Sequence, residues 1–592
     1  MEINFNKAQL EAINHKDGPC VVIAGAGSGK STVLVERIKT LVSEGVNERD
    51  IMAISFTKAS AEDLKRKLNN KNILNVNVGT FHSILGRMLY NQGYNVYTSV
   101  PLFEIKKTFN KIKWNSDVED ILSFISYQKC FMKGPDDIFA FKESAYTDIE
   151  LQRYYKAYEN LKKHKNAYDF DDWLIKALEF LSARPEFPRP KYLLVDEHQD
   201  SNLVQNLLIS QLCPSRNIFV VGDYRQAIYG FRGAEVRYFM NFSKEYPDAK
   251  VINLDYNYRS KKEIVDNANI FIKNYYGLYE HYSDSIAFNK QNAQIEIEQF
   301  ETAFDQGEII SDRIHNLISM HNVNPKDIAI LFRNNAQSAE AEISLIKRKI
   351  PYYIENEGNF FLSKQILPII SLIRLANNRL DDEAFENFVK CRCAPFEYFS
   401  NASFDSIVMT ALTSGCSYIE AARMTNLQFK QKDMVERFMH YLFIIENQVK
   451  NFIPLTTIID NIINLLDLQS FIKEKYQNLE EQQNRLKSFE TLKSFAINQT
   501  VDGFIKFVLS GKAVAKQSKD NAVQLMTIHK SKGLEFKYVF VIGLQDNKFP
   551  SDKSDLESEA RLFYVAVTRP IDFLFLSQIG YKNKFVEQYI GN

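Results

Sequence analysis

Cysteine is scarce in this chain: its 592 residues include 6 cysteines, and no two of them are spaced as Cys-x-x-Cys. Cys391 and Cys393 are the closest pair, and no second pair of cysteines or histidines lies near them in the sequence to complete a zinc site. Scattered cysteines are typical of reduced thiols in intracellular proteins. The composition therefore argues against a disulfide-stabilised secreted protein and against a structural zinc domain.

Long apolar runs are also missing. No stretch approaches the ~18 apolar residues that a transmembrane helix needs. The first residues contain no basic segment followed by an apolar one, which is the pattern of a signal peptide. We therefore expect a cytoplasmic protein.

Neither sign of charge is in excess, because 73 Lys and Arg residues balance 73 Asp and Glu residues. This balance excludes a globally basic protein that coats nucleic acid, but it leaves room for a local basic groove. The chain is too long for a single core, and a prior of ~150 residues per domain suggests about four domains.

Glycine and proline are few, at 22 and 15 residues, so a glycine cluster is informative. One such cluster, Ala24-Gly25-Ala26-Gly27-Ser28-Gly29-Lys30-Ser31-Thr32, follows a predicted strand and precedes a predicted helix. Backbone N–H groups of this kind of loop bind phosphate oxygens, Lys30 would reach the β- and γ-phosphates, and Ser31 would bind Mg²⁺. The alternative, a tight turn without a ligand, explains the glycines but not the Lys-Ser pair.

The hydrophobic pattern predicts strands in two separate regions of the chain. The predicted strands are 19–24, 51–56, 76–81, 192–195, 218–221, 251–254, 295–300, 328–332, 523–526 and 538–542. Residues 86–165 and 381–517 are helical in pattern. Two α/β cores, each interrupted by a helical insertion, fit this alternation better than four domains in line.

Two further segments carry candidate functional residues. Asp196 and Glu197 end a buried strand, and we expect Asp196 to hold Mg²⁺ and Glu197 to orient the attacking water. Gln226 could meet a γ-phosphate, and Tyr229 and Phe231 could stack on bases. Taken singly, a solvated loop for the two acids and core packing for each aromatic residue are the simpler interpretations.

These motifs and their order resemble a superfamily 1A DNA helicase of the UvrD/Rep/PcrA type. The resemblance extends from Gln9 to Arg569. The further segments that carry it are 5–13, 55–60, 79–82, 168–172, 257–260, 525–536 and 561–569. The resemblance implies an α/β fold with two RecA-like P-loop motor domains in tandem, each with a mainly helical insertion.

The resemblance also assigns residues to roles. It implies that Lys30, Asp196, Glu197, Gln226, Arg259 and Arg569 are catalytic, with Arg569 as an arginine finger, and that Ser31 and Asp196 bind Mg²⁺. ATP contacts are implied for Gln9, residues 24–32, Arg37, Tyr258, Arg259, Glu535 and Arg569. DNA contacts are implied for Phe56, Thr57, Thr80, His82, Tyr229, Phe231, Arg232 and His529.

The domain boundaries expected from this pattern place one motor domain at 1–85 and 166–262 and the other at 263–380 and 518–592. The helical insertions are then 86–165 and 381–517. The implied activity is ATP-dependent movement along single-stranded DNA in the 3′–5′ direction with unwinding of 3′-tailed duplexes, by a protein that is monomeric in isolation.

Two other activities remain open. A DNA-stimulated ATPase switch could act on DNA only with a partner protein, such as a nuclease or a replication or repair factor. A helicase–nuclease fusion has less support, because no second acidic cluster stands out. The sequence also departs from the family pattern at Tyr224-Arg225, Ala227, Ser551 and Pro570.

Overall fold

The structure of the chain is a computed structural model that describes residues 4–113, 116–137, 146–354, 360–476, 479–515, 519–552 and 554–591. The predicted boundary between residues 517 and 518 touches residues outside this described set. None of the helices in the described residues is both long and apolar enough to cross a bilayer.

The first core is a parallel sheet of six strands. Its strands are Cys20–Ala24 (β1), Ile51–Ile54 (β2), Asn77–Gly79 (β3), Tyr192–Val195 (β4), Ile218–Gly222 (β5) and Lys250–Leu254 (β6). They lie in the order β3-β2-β4-β5-β1-β6. Strands β1, β2, β4 and β5 are buried along their whole length, as expected of parallel strands covered by helices on both faces.

The helices of this half of the chain follow in sequence order. They are Lys7–Ile13 (α1), Lys30–Ser43 (α2), Lys58–Asn69 (α3), Phe81–Asn91 (α4), Leu102–Phe109 (α5), Val118–Cys130 (α6), Asp148–Lys165 (α7), Phe170–Ala183 (α8), Leu203–Leu212 (α9), Val236–Met240 (α10) and Phe242–Glu245 (α11). Alternate residues of β1 enter two apolar clusters, with Val21 in one and Val22 in the other, because helices cover both faces of the sheet. Helices α5, α6 and α7 pack around a small core of their own that contains Phe109 and Tyr154.

The second core is also a parallel six-stranded sheet, with a two-stranded sheet between the cores. The strands are Tyr256–Lys261 (β7), Ile286–Asn289 (β8), Gln294–Phe300 (β9), Ile328–Phe332 (β10), Tyr352–Ile354 (β11), Val523–Thr527 (β12), Phe536–Leu544 (β13) and Pro570–Ile579 (β14). The order is β11-β12-β10-β13-β14-β9, and β7 pairs with β8.

The remaining helices surround this sheet or form the second helical segment. They are Lys262–Tyr276 (α12), Ala303–Ser319 (α13), Ala339–Lys347 (α14), Leu367–Asn377 (α15), Asp382–Cys391 (α16), Asn401–Ser414 (α17), Tyr418–Met424 (α18), Phe429–Lys450 (α19), Leu455–Leu465 (α20), Leu468–Lys475 (α21), Leu479–Ala496 (α22), Val501–Ala515 (α23), Ile528–Ser531 (α24), Leu556–Val567 (α25) and Lys584–Tyr589 (α26). One apolar cluster joins this sheet to the helical segment, from Ile330 to Ile458.

The two cores are in direct apolar contact. The cluster that contains Val21 of the first sheet continues through Phe271 of α12 to Leu331 and Leu574 of the second sheet. The predicted α/β fold with two tandem motor domains is confirmed. Four strands were not predicted: β7, β8 and β11, which are short or partly exposed, and β14, which lies inside the second sheet.

Candidate functional site

Three segments meet at one edge of the first sheet. The loop 24–30 follows β1, Asp196 and Glu197 follow β4, and Asp223 follows β5. Strand β5 lies directly between β1 and β4. Because the strands are parallel, their carboxyl ends bring these three segments together.

The loop after β1 depends on two glycines with left-handed backbone. Gly27 has a φ of 68° and Gly29 a φ of 83°. Gly29 caps α2 without a side-chain hydrogen bond, so the first turn of the helix keeps N–H groups that suit a phosphate. The hydroxyl of Ser28 is buried and has no hydrogen-bond partner. The loop therefore has unused polar groups next to a helix N-terminus.

The two acids after β4 lie against the lysine of this loop. Lys30 Nζ is 2.8 Å from Glu197 Oε1, and the side chains of both residues are largely buried. Glu197 adopts a left-handed φ of 53°, a conformation that is uncommon for a residue with a side chain. The Glu197 backbone N–H donates to Asp196 Oδ1 at 3.0 Å.

Burial and charge separate the pKa values of the two acids. Burial raises the pKa of Asp196, and the neighbouring carboxylate of Glu197 raises it further. Burial alone would also raise the pKa of Glu197, but the ammonium groups of Lys30 and Lys532 outweigh it and hold that pKa below its ordinary value. Glu197 therefore stays ionised, as a group that orients water must be.

The segment after β5 is held by Asp223, which is fully buried. Its Oδ2 accepts a hydrogen bond from Gln226 Nε2 at 2.6 Å, and its Oδ1 accepts one from Arg225 Nε at 2.7 Å. These bonds hold the side-chain amide of Gln226 in place, so that its Oε1 can accept a hydrogen bond from another group.

That group is Arg569 from the second core. Arg569 Nη2 donates to Gln226 Oε1 at 3.0 Å, and Arg569 Nη1 donates to the carbonyl of Leu534 at 3.1 Å. Arg259 lies nearby, where its Nε donates to Glu535 Oε2 at 2.7 Å. The structure thus brings the four predicted residues Gln226, Arg259, Glu535 and Arg569 to one junction between the cores.

The charge at this junction favours an anion. Arg569 is 1% exposed, and burial together with the positive charge of Arg259 lowers its pKa to about 9. Two arginines that repel each other in a buried cleft are stabilised when a negatively charged group lies between them. The residues present therefore fit the phosphates of a nucleotide.

The donors for a metal ion fit Mg²⁺. Ser31 and Asp196 offer a hydroxyl and a carboxylate, which are the oxygen ligands that this ion prefers. Mg²⁺ in nucleotide sites keeps few protein ligands and is completed by phosphates and water. The only cluster of three potential ligands among the described residues lies elsewhere, at Glu159, Asp169 and Asp172, where Lys129 and Lys162 occupy it.

Two predicted ATP contacts, Gln9 and Tyr258, lie at the start of α1. Tyr258 is partly exposed, and its hydroxyl accepts a hydrogen bond from Asn6 Nδ2 at 2.9 Å. Gln9 Nε2 donates to the carbonyl of Ser28 at 3.1 Å, so the Gln9 amide touches the phosphate loop. The Tyr258 N–H donates to the carbonyl of Gly27, which ties the two regions together.

Arg37, which the sequence predicts as an ATP contact, is bonded in this structure to backbone carbonyls at the end of α1. Its side chain is buried, and its guanidinium donates to the carbonyl oxygens of Ile13 at 3.4 Å and Lys16 at 2.7 Å. Arg37 lies two turns along α2 from Lys30, roughly 10 Å along the helix axis. It fastens the end of α1 to α2 instead.

An aromatic cluster lies across the cleft between the cores. The rings of Phe56 and Tyr229 stack at 5.3 Å, and Phe231 lies 6.1 Å from Tyr229 and 5.5 Å from His529. Arg232 lies over both Tyr229 and Phe231. These five predicted DNA contacts come from both cores and form one group.

This aromatic cluster borders a cavity of about 710 Å³. The cavity is also lined by Arg333 and Arg561 of the second core. Burial and the nearby arginines lower the pKa of His529 to about 4, so its ring is neutral at physiological pH. The lining also includes Glu235, Asp555 and Glu559, so the feature of the cleft that suits a single strand of nucleic acid is its aromatic wall.

The other predicted DNA contacts lie at helix starts. Thr57 caps α3, and Thr80 caps α4 with Ser83 in a capping box. The His82 ring contacts Phe170 at 5.8 Å, outside the cluster around Tyr229. The two threonine side chains are therefore already hydrogen-bonded as helix caps. His82 lies on a separate part of the surface.

Sequence reasoning missed residues that connect the segments. Gln199 accepts from the Asp223 N–H at 3.0 Å and donates to Glu197 at 2.5 Å. Lys532 of the second core donates to Asp200 at 2.5 Å and to the carbonyl of Gln226 at 2.7 Å. Both lie inside the predicted motifs, but no spacing rule assigns them a partner.

Replacement of Gly27 by alanine is expected to weaken nucleotide binding at least tenfold. A Cβ at Gly27 would lie 2.7 Å from Arg259 Cβ and 2.7 Å from Asn257 Oδ1, and the φ of 68° adds on the order of 1–2 kcal/mol of backbone strain. Titration with a fluorescent ATP analogue measures the effect.

Gly45→Ala is the matched control for this substitution. Gly45 has a φ of 93°, but a Cβ there meets nothing within 4 Å. This variant carries the backbone strain without the clash and should bind nucleotide normally. Equal nucleotide affinity in both variants would show that the loop does not hold the phosphates.

Comparison with known proteins agrees with this geometry. Residues 5–247 match the model of the UvrD/REP helicase N-terminal domain, and residues 252–581 match that of the UvrD-like helicase C-terminal domain. The chain is 30% identical to the ATP-dependent DNA helicase PcrA of Bacillus subtilis strain 168, over 98% of this chain and 83% of the relative. It is 30% identical to PcrA of Leuconostoc citreum, over 97% and 81%, and 28% identical to PcrA of Staphylococcus epidermidis, over 97% and 83%. The chain therefore belongs to the UvrD/Rep helicase family.

Proposed function

We propose that this chain is an ATP-dependent 3′–5′ DNA helicase that moves along single-stranded DNA. The observation that carries the proposal is the bond across the cleft between Arg569 Nη2 and Gln226 Oε1. A nucleotide bound to the loop of the first core would meet cations of the second core only while this cleft is closed. Nucleotide binding and domain closure are therefore linked.

Each residue of the site has a defined part in ATP hydrolysis. Lys30 would bind the β- and γ-phosphates, and Glu197 would accept the proton of the attacking water. Gln226, Arg259 and Arg569 would stabilise the charge on the transferred phosphoryl group, which is the main requirement of this reaction. Mg²⁺ held by Ser31 and Asp196 would neutralise phosphate charge.

The same segment connects the ATP site to the aromatic cluster. Gln226 and Tyr229 are three residues apart, and Lys532 reaches both the carbonyl of Gln226 and, at 5.1 Å, the ring of Tyr229. Loss of the γ-phosphate would remove the anion that Lys30, Arg259 and Arg569 share in this proposal, and closure of the cleft would lose that stabilisation. Opening of the cleft would then move Tyr229 relative to His529 and shift the strand between them.

The direction of movement and the domain boundaries are part of this proposal. Motor domains at 1–85 with 166–262 and at 263–380 with 518–592 would each carry one wall of the cleft. The helical insertions at 86–165 and 381–517 would contact duplex DNA ahead of the motor. Single-stranded DNA and 3′-tailed duplexes are the proposed substrates, and a monomer the proposed active form.

A strand-displacement assay tests the proposal. Purified chain with ATP and Mg²⁺ should separate a 3′-tailed duplex and leave 5′-tailed and blunt duplexes intact. The Glu197→Gln variant, which keeps the size of the side chain, should bind the same DNA without displacing a strand. Displacement from the 5′-tailed duplex would contradict the polarity.

A different result would favour the second activity. DNA-stimulated ATP hydrolysis without strand displacement by the isolated chain would indicate an ATPase switch that needs a partner protein. Addition of candidate nucleases or replication factors would then be expected to restore displacement. Absence of DNA-stimulated hydrolysis would contradict both activities.

A further inference from the structure

A second group of aromatic rings lies on the first core, outside the cleft. Phe170 and Trp173 lie 5.0 Å apart, Trp173 and Tyr97 5.6 Å, and Tyr97 and Tyr90 5.1 Å. Phe170, Tyr97 and Tyr90 are 66%, 59% and 57% exposed, so these rings are mostly in contact with solvent. We call the four rings the Tyr97 strip.

The Tyr97 strip is continuous with a predicted DNA contact. His82 lies 5.8 Å from Phe170, at the first turn of α4. His82, Gly86 and Tyr90 are spaced four residues apart and so share one face of α4. Single exposed aromatic residues are common on protein surfaces, whereas these exposed rings adjoin one another and His82 in one row.

Gly86 leaves room on α4 for the ring of Trp173. A Cβ at Gly86 would lie 2.6 Å from Trp173 Cε3, so glycine alone allows the indole to lie against α4. The backbone N–H of Tyr168 donates to the carbonyl of Thr98 at 3.0 Å, which fixes the loop that carries Tyr97. These contacts position the Trp173 ring and the backbone of the loop that carries Tyr97.

We propose that Tyr97 and Tyr90, reached through Trp173, form a further subsite that stacks bases of single-stranded DNA beyond the cleft. This inference rests on the proposed function, because it requires a strand that passes His82. Aromatic side chains stack on any base, so such a subsite does not depend on sequence.

The exposed faces of the rings favour a single strand over a duplex. The rings pack edge-to-face or tilted against one another, at interplanar angles of 65°, 88° and 53°, so a base can stack only on a face that is open to solvent. Duplex DNA presents no free base faces to stack on these rings.

The charge beside the strip is only partly balanced. Asp169 and Asp172 share the buried ammonium groups of Lys129 and Lys162 with Glu159. Burial raises the pKa of the neighbouring Asp171 to about 6. Arg87 follows Gly86 on α4 and is exposed. The two lysines and Arg87 thus offset most, but not all, of the negative charge beside the strip.

The test compares the Tyr97→Ala, Tyr90→Ala double variant with the parent chain. Binding of fluorescently labelled oligothymidylates of increasing length is measured by anisotropy. Short strands that fill only the cleft should bind the two proteins equally, whereas long strands should bind the double variant about tenfold more weakly. The corresponding double phenylalanine variant should restore long-strand affinity, because stacking needs the ring and not the hydroxyl.

Tyr398→Ala is the control, since Tyr398 is 70% exposed and lies in the second helical segment. It should bind all lengths as the parent chain does. Equal loss of long-strand affinity in Tyr398→Ala, or none in the double variant, would overturn the subsite. Failure of the parent chain to bind short strands would instead contradict the proposed function, so the two failures are distinguishable.

Discussion

Lys30→Ala is expected to abolish measurable ATP hydrolysis, with a loss on the order of 10²–10³ or more, as for removal of a preorganised charged donor. Lys30 Nζ lies 2.8 Å from Glu197 Oε1, and its charge helps to hold the pKa of Glu197 below its ordinary value. Without Lys30 the γ-phosphate loses its ligand and two buried carboxylates face each other with less compensation. DNA-stimulated phosphate release measures the loss.

Binding of single-stranded DNA is the internal control for Lys30→Ala. The aromatic cluster around Tyr229 does not include Lys30, so DNA affinity in the absence of ATP should stay within a few-fold of the parent chain. Lys30→Arg tests whether positive charge alone is sufficient, since the guanidinium keeps the charge of Lys30 but is planar and larger. Loss of DNA binding equal to the loss of ATP hydrolysis would show that Lys30 is misassigned. Thermal unfolding separates this outcome from misfolding, because removing one partner of a buried ion pair destabilises the fold.

Arg569→Ala is expected to reduce the maximal rate of ATP hydrolysis by ~10³–10⁵, the range of an arginine finger. Arg569 comes from the second core and bonds the side chain of Gln226, and burial with the charge of Arg259 lowers the pKa of Arg569 to about 9. Because Arg569 is buried beside another cation, negative charge that develops next to it in the transition state is strongly stabilising. The expected effect on nucleotide affinity is smaller, because Lys30 and the loop keep their contacts.

Steady-state and single-turnover kinetics separate these two effects for Arg569→Ala. Arg348→Ala is the matched control, because Arg348 lies in the same core but pairs with Glu308 and Asp312 at the end of α14. Normal turnover in Arg569→Ala would remove the finger assignment. A large loss in Arg348→Ala would show that the second core tolerates no arginine substitution, and the Arg569 result would then carry no information on catalysis.

The predicted strands illustrate which parts of the fold can be read from sequence. Strands such as β1 and β10 are continuous apolar runs because both faces of a parallel sheet are covered. Strand β14 was missed although it lies inside the second sheet: it starts at Pro570 directly after the Arg569 motif, and its polar positions Asp572 and Gln578 interrupt the run. Strands β7 and β8 alternate exposed and buried residues and pair only with each other, so their formation depends on the packing of both cores.

The residues of the site also divide into those that the local sequence predicts and those that depend on packing. The phosphate loop follows from local spacing, since glycines, a lysine and a strand–helix junction lie within a few residues. Local spacing does not predict which groups a side chain on a helix will contact. Arg37 shares a face with Lys30 at a spacing of seven residues, yet its guanidinium bonds to the carbonyls of Ile13 and Lys16 because the end of α1 lies there.

The scarcity of glycine and the order of the motifs are properties of the sequence alone, and they determined the fold class and the family. Which residues face each other across the cleft was decided only by the tertiary structure. Arg569 and Gln226 are 343 positions apart, and no local rule predicts a bond between them. The rings from Phe170 to Tyr90 likewise come from two helices and a loop. The physical reason is that residue type sets the chemistry of a side chain, whereas its partners depend on how distant segments pack.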